Sequence, residues 1–153
     1  MSKCFFEIKN TTFFASEENK ILNFNMKIEK PGEIICLLGP SGVGKTTLLR
    51  SIAGLQKISH GEIYLNGKLL SSKETHTPPE FRNVALSFQD NSLFPHYNVL
   101  DNINFGSKRI SKFDFDLSTN ELINILHLNG LQKKFPHEIS AGEAQRVSLA
   151  RSL

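Results

Sequence analysis

The N-terminal part of the chain carries the hydrophobic patterns of β-strands. Short apolar and alternating stretches predict strands at CFFEIKN (4–10), ILNFNMKI (21–28) and NVALSFQ (83–89). The run IICLLG (34–39) is apolar almost throughout, which is typical of a strand buried on both faces, and Cys36 within it is expected to pack as a small buried side chain. The segment GEIYLNGKLLS (61–71) predicts a hairpin that turns at Asn66 and Gly67.

Helical spacing replaces the strand pattern in two parts of the chain. The segment KTTLLRSIAG (45–54) has apolar residues at helical intervals and ends in a glycine, which commonly stops a helix. Farther along, Ser118 with Glu121 and Ser140 with Glu143 form the S-x-x-E capping box that opens a helix. The chain is therefore predicted to be an α/β protein that becomes helical toward its end.

The shift from strands to helices falls near residue 98. It divides the chain into a β-rich part, residues 1–97, and a helical subdomain, residues 98–153. Apolar residues make up 39% of the sequence, and no uncharged apolar run approaches the roughly 20 residues that span a bilayer. The start MSKCFFEIKN lacks the apolar core of a secretory signal, so we expect a cytoplasmic protein.

Charge and cysteine content argue against two further classes of protein. The net charge of +3 is mild and spread along the chain, whereas a nucleic-acid-binding protein needs a clustered basic stripe. Cys4 and Cys36 are the only cysteines and have no histidines nearby at the spacing of a zinc site.

The stretch GPSGVGKTTLL lies where a predicted strand gives way to a predicted helix, and it satisfies the pattern G-x-x-x-x-G-K-[ST]. Glycines allow positive φ and bring backbone N–H groups against a polyphosphate, and the helix N-terminus adds its dipole. Lys45 supplies a point charge between the β- and γ-phosphates, and the Thr46 hydroxyl is a hard ligand suited to Mg²⁺. The predicted phosphate loop comprises Gly39, Pro40, Ser41, Gly42, Val43, Gly44, Lys45, Thr46 and Thr47.

A phosphate loop is shared by kinases, GTPases, helicases and transport ATPases. A GTPase needs an N-K-x-D motif to recognise its base, and the sequence contains none. A kinase of a small metabolite leaves the closing stretch ISAGEAQRVSLARSL (139–153) without a purpose.

That closing stretch resembles the signature motif of ATP-binding cassette (ABC) ATPases, usually written LSGGQ. The five positions are occupied by Ile139, Ser140, Ala141, Gly142 and Glu143. The intervening stretch VALSFQDNSLFPHYNV is similar to the family's Q-loop region, which places the Q-loop glutamine at Gln89. PPEFRNVALSFQ and LFPHYNV are similar to importer ATPases that serve ferric iron, polyamines, sulfate, molybdate, thiamine or sugars. The resemblance covers essentially the whole chain.

The resemblance implies a nucleotide site shared between two ATPase domains that pair head to tail. ATP then lies between the phosphate loop of one domain and the signature of the other, where Ser140 and Gly142 are the contacting positions. Gln89 is implied to sense the γ-phosphate through Mg²⁺ or the attacking water. Phe14 is the favoured candidate for the ring that stacks on adenine; alternatively, Phe13 holds that place, or both rings pack as core aromatics.

The same resemblance assigns the remaining site residues. Lys45 and Gln89 are the candidate catalytic groups, and Thr46 and Gln89 are the candidate Mg²⁺ ligands. Two positions depart from the signature: Ala141 replaces its first glycine and Glu143 replaces its glutamine. Glu143 adds negative charge to the first helical turn, where the helix dipole favours it.

The fold implied is α/β, a P-loop NTPase (RecA-like) core with an N-terminal antiparallel β subdomain and a helical signature subdomain. The family's acidic strand, its adjacent catalytic glutamate and its switch histidine have no counterpart in the sequence. We therefore expect that the C-terminal part of the fold is missing and that this chain alone lacks groups needed for hydrolysis.

The function implied is that of the energy-coupling subunit of an ABC importer, working with ATP and Mg²⁺. Its expected partners are a second ATPase domain, transmembrane permease subunits and, indirectly, an extracytoplasmic substrate-binding protein; no nucleic acid is expected. It would lie on the inner face of the cell membrane. The alternatives are a soluble ABC protein of DNA repair, chromosome maintenance or translation, and a non-hydrolysing ATP-binding fragment. About fifty residues separate Gln89 from Ser140, with no heptads or cysteine pairs, which matches the transporter length.

Overall fold

The structure, a computed structural model, describes residues 4–14, 20–88, 93–107 and 117–153. By its internal contacts the chain forms two compact units, Met1–Val84 and Ala85–Leu153. Among the described residues, the first unit carries the β-sheet and one α-helix, and the second carries the later α-helices. The functional division into 1–97 and 98–153 stays a prediction.

An antiparallel sheet of four strands forms the first unit, in the order β2-β1-β3-β4. The strands are β1 (Phe6–Phe14), β2 (Lys20–Ile28), β3 (His60–Leu65) and β4 (Lys68–Ser71). Between β3 and β4 the turn has positive φ at both Asn66 (50°) and Gly67 (74°), as a type I′ turn requires. The hairpin predicted from the Asn-Gly pair is therefore confirmed.

Helix α1 (Lys45–Ile52) contributes to the apolar core of this unit. The buried core residues are Phe6, Ile8, Phe13, Leu48, Ile58, Ile63 and Leu70. Leu48 is the buried apolar residue of the helix, and burial of one leucine side chain contributes about 2 kcal/mol. Ile52 of the same helix is partly buried and packs against this core as well.

Two predicted strands do not form a ladder with any strand of the described chain. These are IICLLG (34–39) and the described part of NVALSFQ. Ile34 and Leu38 are each 92% exposed, and Cys36 is exposed, so the expectation of a buried strand with a buried cysteine is wrong here. A strand needs neighbours to satisfy its backbone groups, and the described residues provide none for this run.

Three α-helices form the described core of the second unit: α2 (Val99–Ser107), α3 (Thr119–Ile125) and α4 (Ala141–Ser152). The buried residues of this core are Val99, Ile103, Leu122, Ile123, Leu128, Leu131, Val147 and Ala150. The start of α2 is tied to the loop before α4, because the N–H groups of Val99 and Leu100 donate to the carbonyl oxygens of Lys134 (2.8 Å) and Gln132 (3.0 Å). No helix in the described ranges has the length and apolar character needed to cross a membrane.

Gly61→Ala should destabilise the sheet strongly. Gly61 has φ of 88°, and a Cβ at this position would lie 2.4 Å from the carbonyl oxygen of Lys9 and 2.5 Å from the Cα of Thr11. Both clashing atoms are backbone and cannot rotate away, so we expect the free energy of unfolding to fall by about 3 kcal/mol in urea denaturation.

Gly32→Ala is the matched control for this substitution. Gly32 has the same φ of 88°, but no atom lies within 4 Å of the added Cβ. Only the conformational strain remains, which costs about 1 kcal/mol. Equal losses in the two variants would contradict the role given to the β1 backbone.

Candidate functional site

The loop 39–47 runs directly into α1. Gly42 and Gly44 have φ of 83° and 103°, a region that glycine adopts without strain. Gly44 is the N-cap of α1, and no side chain caps that helix start. The N–H of Val43 donates to the carbonyl oxygen of Pro40 across the loop at 3.4 Å. The glycines of the motif are therefore needed for the backbone path of the loop.

The N-terminal turn of α1 is a set of hydrogen-bond donors. The N–H of Leu48 makes the first bond of the helix, to the carbonyl oxygen of Gly44 at 2.9 Å. The N–H groups of Lys45, Thr46 and Thr47 precede that bond and have no acceptor within the helix. No acidic residue stands in this turn, so the positive end of the helix dipole is not offset there by a carboxylate. Such a helix start is suited to an anion.

The Lys45 side chain folds back over the loop. Its ammonium donates to the carbonyl oxygens of Gly39 and Pro40, both at 2.8 Å. An ammonium has three N–H donors, so two hold the side chain in place and the third is left for a phosphate oxygen. The charge is thus held against the first two residues of the loop.

The loop fits the phosphates of a nucleotide and a magnesium ion. A Cβ on Gly39 would meet Cγ1 of Val43 at 3.1 Å, whereas the Cβ position of Gly42 faces open space. The Thr46 side chain is exposed at the helix start, where its hydroxyl suits a hard cation. Within the described ranges no group of three or more His, Cys, Asp or Glu residues could hold a metal by itself.

Helix α4 begins at the predicted capping box. The Ser140 hydroxyl accepts from the N–H of Glu143 at 3.3 Å, and the Glu143 carboxylate accepts from the Ser140 N–H at 2.7 Å and from its hydroxyl at 2.8 Å. These bonds, the one from the Ser140 backbone first, hold the pKa of the Glu143 carboxyl below its usual value. The N–H and the hydroxyl of Ser140 therefore already donate to a carboxylate of the same helix.

Helix α3 begins in the same way. The Glu121 carboxylate accepts from the Ser118 N–H at 2.8 Å and from its hydroxyl at 2.7 Å, and its pKa is lowered chiefly by the hydroxyl bond. The two boxes share one geometry, so the box alone explains a helix start and does not identify a nucleotide site. The assignment of Ser140 rests on the sequence around it.

The remaining predicted residues fall in different places. Gly142 is exposed in the first turn of α4. Phe13 is fully buried and contacts Phe24 edge-on at 6.1 Å between ring centroids, which makes it a core aromatic. Phe14 ends β1, and its side chain lies outside the described part, as does all of Gln89. Their proposed contacts with adenine and magnesium stay predictions.

Sequence reasoning missed a buried guanidinium at the far end of α1. Arg82 is 1% exposed and donates to the carbonyl oxygens of Ser51 and Ile52. The only local signal is an arginine within PPEFRNVALSF, and no spacing rule separates it from an ordinary surface arginine.

The Glu143 carboxyl should titrate below its usual pKa of 4.5, as measured by carbon NMR. Because the folded-state pKa is lowered, the bond stabilises the protein above the unfolded pKa, and this stabilisation is lost as the pH falls through the folded value. Ser140→Ala removes the hydroxyl bond but keeps the backbone N–H bond, so the pKa of Glu143 should rise only part of the way toward 4.5, and that of Glu121 should not change. A pKa of Glu143 that Ser140→Ala does not move would contradict the contribution assigned to the hydroxyl, and a full return to 4.5 would contradict the contribution assigned to the backbone.

The chain is similar to ATP-binding proteins of importers. A family described as ABC transporter matches residues 21–153. The putrescine transport ATP-binding protein PotG of Escherichia coli is 41% identical over 149 residues, which cover 96% of this chain and 38% of that protein. The Fe(3+) ions import ATP-binding protein FbpC of the same species is 37% identical over 153 residues, which cover 99% and 42%. The chain thus spans about two fifths of the length of these relatives.

Solved structures share the fold. The dimeric post-hydrolysis state of the ATP-binding cassette MJ0796, bound to ADP and Pi, gives a TM-score of 0.74 at 27% identity and covers 97% of this chain and 68% of that one. CbiO1 from Clostridium perfringens gives 0.77 at 24% identity, covering 99% and 61%, and shows the fold alone. The predicted α/β cassette fold is confirmed for the part the chain spans. This protein belongs to the ABC transporter family.

Proposed function

We propose that this protein binds MgATP as the energy-coupling subunit of an ABC importer. The observation that carries the proposal is the phosphate loop, in which Lys45 lies across the carbonyl oxygens of Gly39 and Pro40 beside the uncapped start of α1. The relatives PotG and FbpC, named as transport and import ATP-binding proteins, support the importer class.

The nucleotide is held by the backbone N–H groups of the loop 39–47 and by the Lys45 ammonium, placed between the β- and γ-phosphates. Thr46 and Gln89 are the proposed Mg²⁺ ligands, and the ring of Phe14 is the proposed adenine platform. Magnesium, when bound, offsets the charge of the phosphate oxygens that the loop gathers. Lys45 stabilises the charge of the transferring phosphoryl group through its fixed position.

A second copy of the protein completes the site in a head-to-tail dimer. Ser140 and Gly142 of that copy then approach the γ-phosphate with the positive end of the α4 dipole. The dimer of MJ0796, which has the same fold, supports this pairing. The dimer lies beneath transmembrane permease subunits on the inner face of the cell membrane, and an extracytoplasmic substrate-binding protein acts through them.

Lys45→Ala should weaken MgATP binding by on the order of 100-fold in calorimetry, because it removes the point charge and its charge-assisted hydrogen bonds. Lys68→Ala, on the exposed hairpin, is the matched control and should leave the affinity unchanged. Equal affinity in the Lys45 variant would refute the assignment of the loop. Recovery of the tagged protein with membranes supports the importer role, whereas recovery with DNA or ribosomes contradicts it.

Glu143→Gln should tighten the nucleotide-dependent dimer. The carboxylate lies 2.8 Å from the Ser140 hydroxyl, and its lowered pKa keeps it charged at neutral pH, where it repels the γ-phosphate proposed to dock there. Glutamine keeps the capping box but removes the charge. We expect dimerisation with a non-hydrolysable ATP analogue to become about tenfold tighter by sedimentation.

Glu121→Gln is the control for this change, because it removes the same charge from the same box on α3. It should leave dimerisation unchanged. If both substitutions tighten dimerisation equally, the cause is the change in net charge and not the position of Glu143. If no variant forms a nucleotide-dependent dimer, the pairing itself is wrong.

A further inference from the structure

A charged side chain that the proposed function does not use lies at the C-terminal end of α1, the helix that begins with Lys45 and Thr46. Arg82 is 1% exposed and is the largest fully buried side chain in the described residues. It follows the 3₁₀ turn Pro79–Phe81. Arginine is rarely buried to this extent unless its donors are matched, so its partners indicate its role.

One side of the guanidinium caps the end of α1. Its Nη1 donates to the carbonyl oxygens of Ser51 at 2.9 Å and Ile52 at 3.0 Å. The last carbonyls of a helix have no donor within the helix, and a positive charge there is favoured by the helix dipole. Arg82 therefore satisfies the end of α1 both by hydrogen bonding and by charge.

The other side of the guanidinium holds two further segments of the chain. Its Nη2 donates to Oγ of Ser71 at 2.7 Å and to Nδ1 of His76 at 3.3 Å, and its Nε donates to the carbonyl oxygen of Thr77 at 2.6 Å. These acceptors are neutral, and burial lowers the pKa of Arg82. The planar fork of donors thus links α1 to the end of β4 and to residues 76–77.

Gly54 provides the space for this arrangement. It has φ of 83°, and a Cβ there would lie 2.4 Å from Nε and 2.9 Å from Cζ of Arg82. Its carbonyl oxygen accepts from Nε2 of His76 at 3.1 Å. Since Nδ1 of His76 accepts from Arg82, the imidazole is the neutral Nε2–H tautomer, which avoids placing a second positive charge beside the guanidinium.

We propose that Arg82 is a positioning residue for the nucleotide site, acting through α1. The helix has eight residues and is about 12 Å long, so a shift of its C-terminal end moves Lys45 and Thr46 at its start. The buried residues of the helix itself are Leu48 and Ser51. Arg82, from outside the helix, donates two hydrogen bonds to its C-terminal carbonyl oxygens. The inference rests on the proposed function, since the position of Lys45 matters to a nucleotide only if the loop binds one.

MgADP is the probe that tests this role, because it engages the phosphate loop without needing the signature of a second copy. We expect Arg82→Gln to weaken MgADP binding per folded molecule by about tenfold in calorimetry, since small displacements of binding groups cost affinity steeply. The MgADP affinity of Arg82→Lys should lie between those of Arg82→Gln and the wild type, because lysine keeps the positive charge but not the planar set of donors.

Asn102→Ala is the matched control for lost stability. Asn102 is fully buried in the second unit, where its amide donates to the carbonyl oxygens of Phe94 at 3.1 Å and Tyr97 at 3.0 Å. This substitution should lower the melting temperature and leave the affinity of the folded protein for MgADP unchanged. If Arg82 has only a structural role, Arg82→Gln should likewise lower the melting temperature without changing the MgADP affinity of the folded protein.

Unchanged MgADP affinity in folded Arg82→Gln would overturn the inference while leaving the phosphate loop intact. If that variant does not fold, the positioning role is tested by hydrogen exchange of the wild type with and without MgADP. MgADP should then slow exchange at residues 76–82 together with 44–52, and protection confined to 44–52 would overturn the positioning role. A wild type that does not bind MgADP would overturn the proposed function, and this inference with it.

Discussion

A short helix leaves N–H groups at its start and carbonyl groups at its end without hydrogen-bond partners inside the helix. The role of α1 depends on which of these groups the rest of the chain bonds. At its start the N–H groups of Lys45 to Thr47 face no cap, because Gly44 offers no side-chain acceptor. At its end the carbonyl oxygens of Ser51 and Ile52 are taken by Arg82. The chain thus supplies a side-chain partner for the end of the helix, whereas no side chain caps its start.

The start of helix α4, unlike that of α1, is capped by side chains. The Glu143 carboxylate accepts from the N–H and the hydroxyl of Ser140, and it stays ionised at neutral pH because those bonds lower its pKa. A phosphate proposed to dock at this helix start would meet the negative charge of that carboxylate. The start of α1 therefore has no side-chain cap and no carboxylate in its first turn, whereas the start of α4 has both.

Features that depend on neighbours in the sequence were predictable. The hairpin at Asn66 and Gly67 follows from residues that accept positive φ, and the two capping boxes follow from a serine and a glutamate three positions apart. The run IICLLG shows the limit of such reasoning. Its apolar character indicates burial, but pairing requires a neighbouring strand, and in the described residues Ile34 and Leu38 remain exposed.

The sequence by itself determined the family and the backbone path of the loop 39–47, because glycines at fixed spacing act through the local backbone. Tertiary structure alone decided what lies at the other end of α1. Arg82 is thirty residues from Ile52 along the chain, and its burial depends on the hairpin, on Gly54 and on His76 meeting at one point. Local patterns carry no information about such a meeting, since it arises only when distant segments pack together.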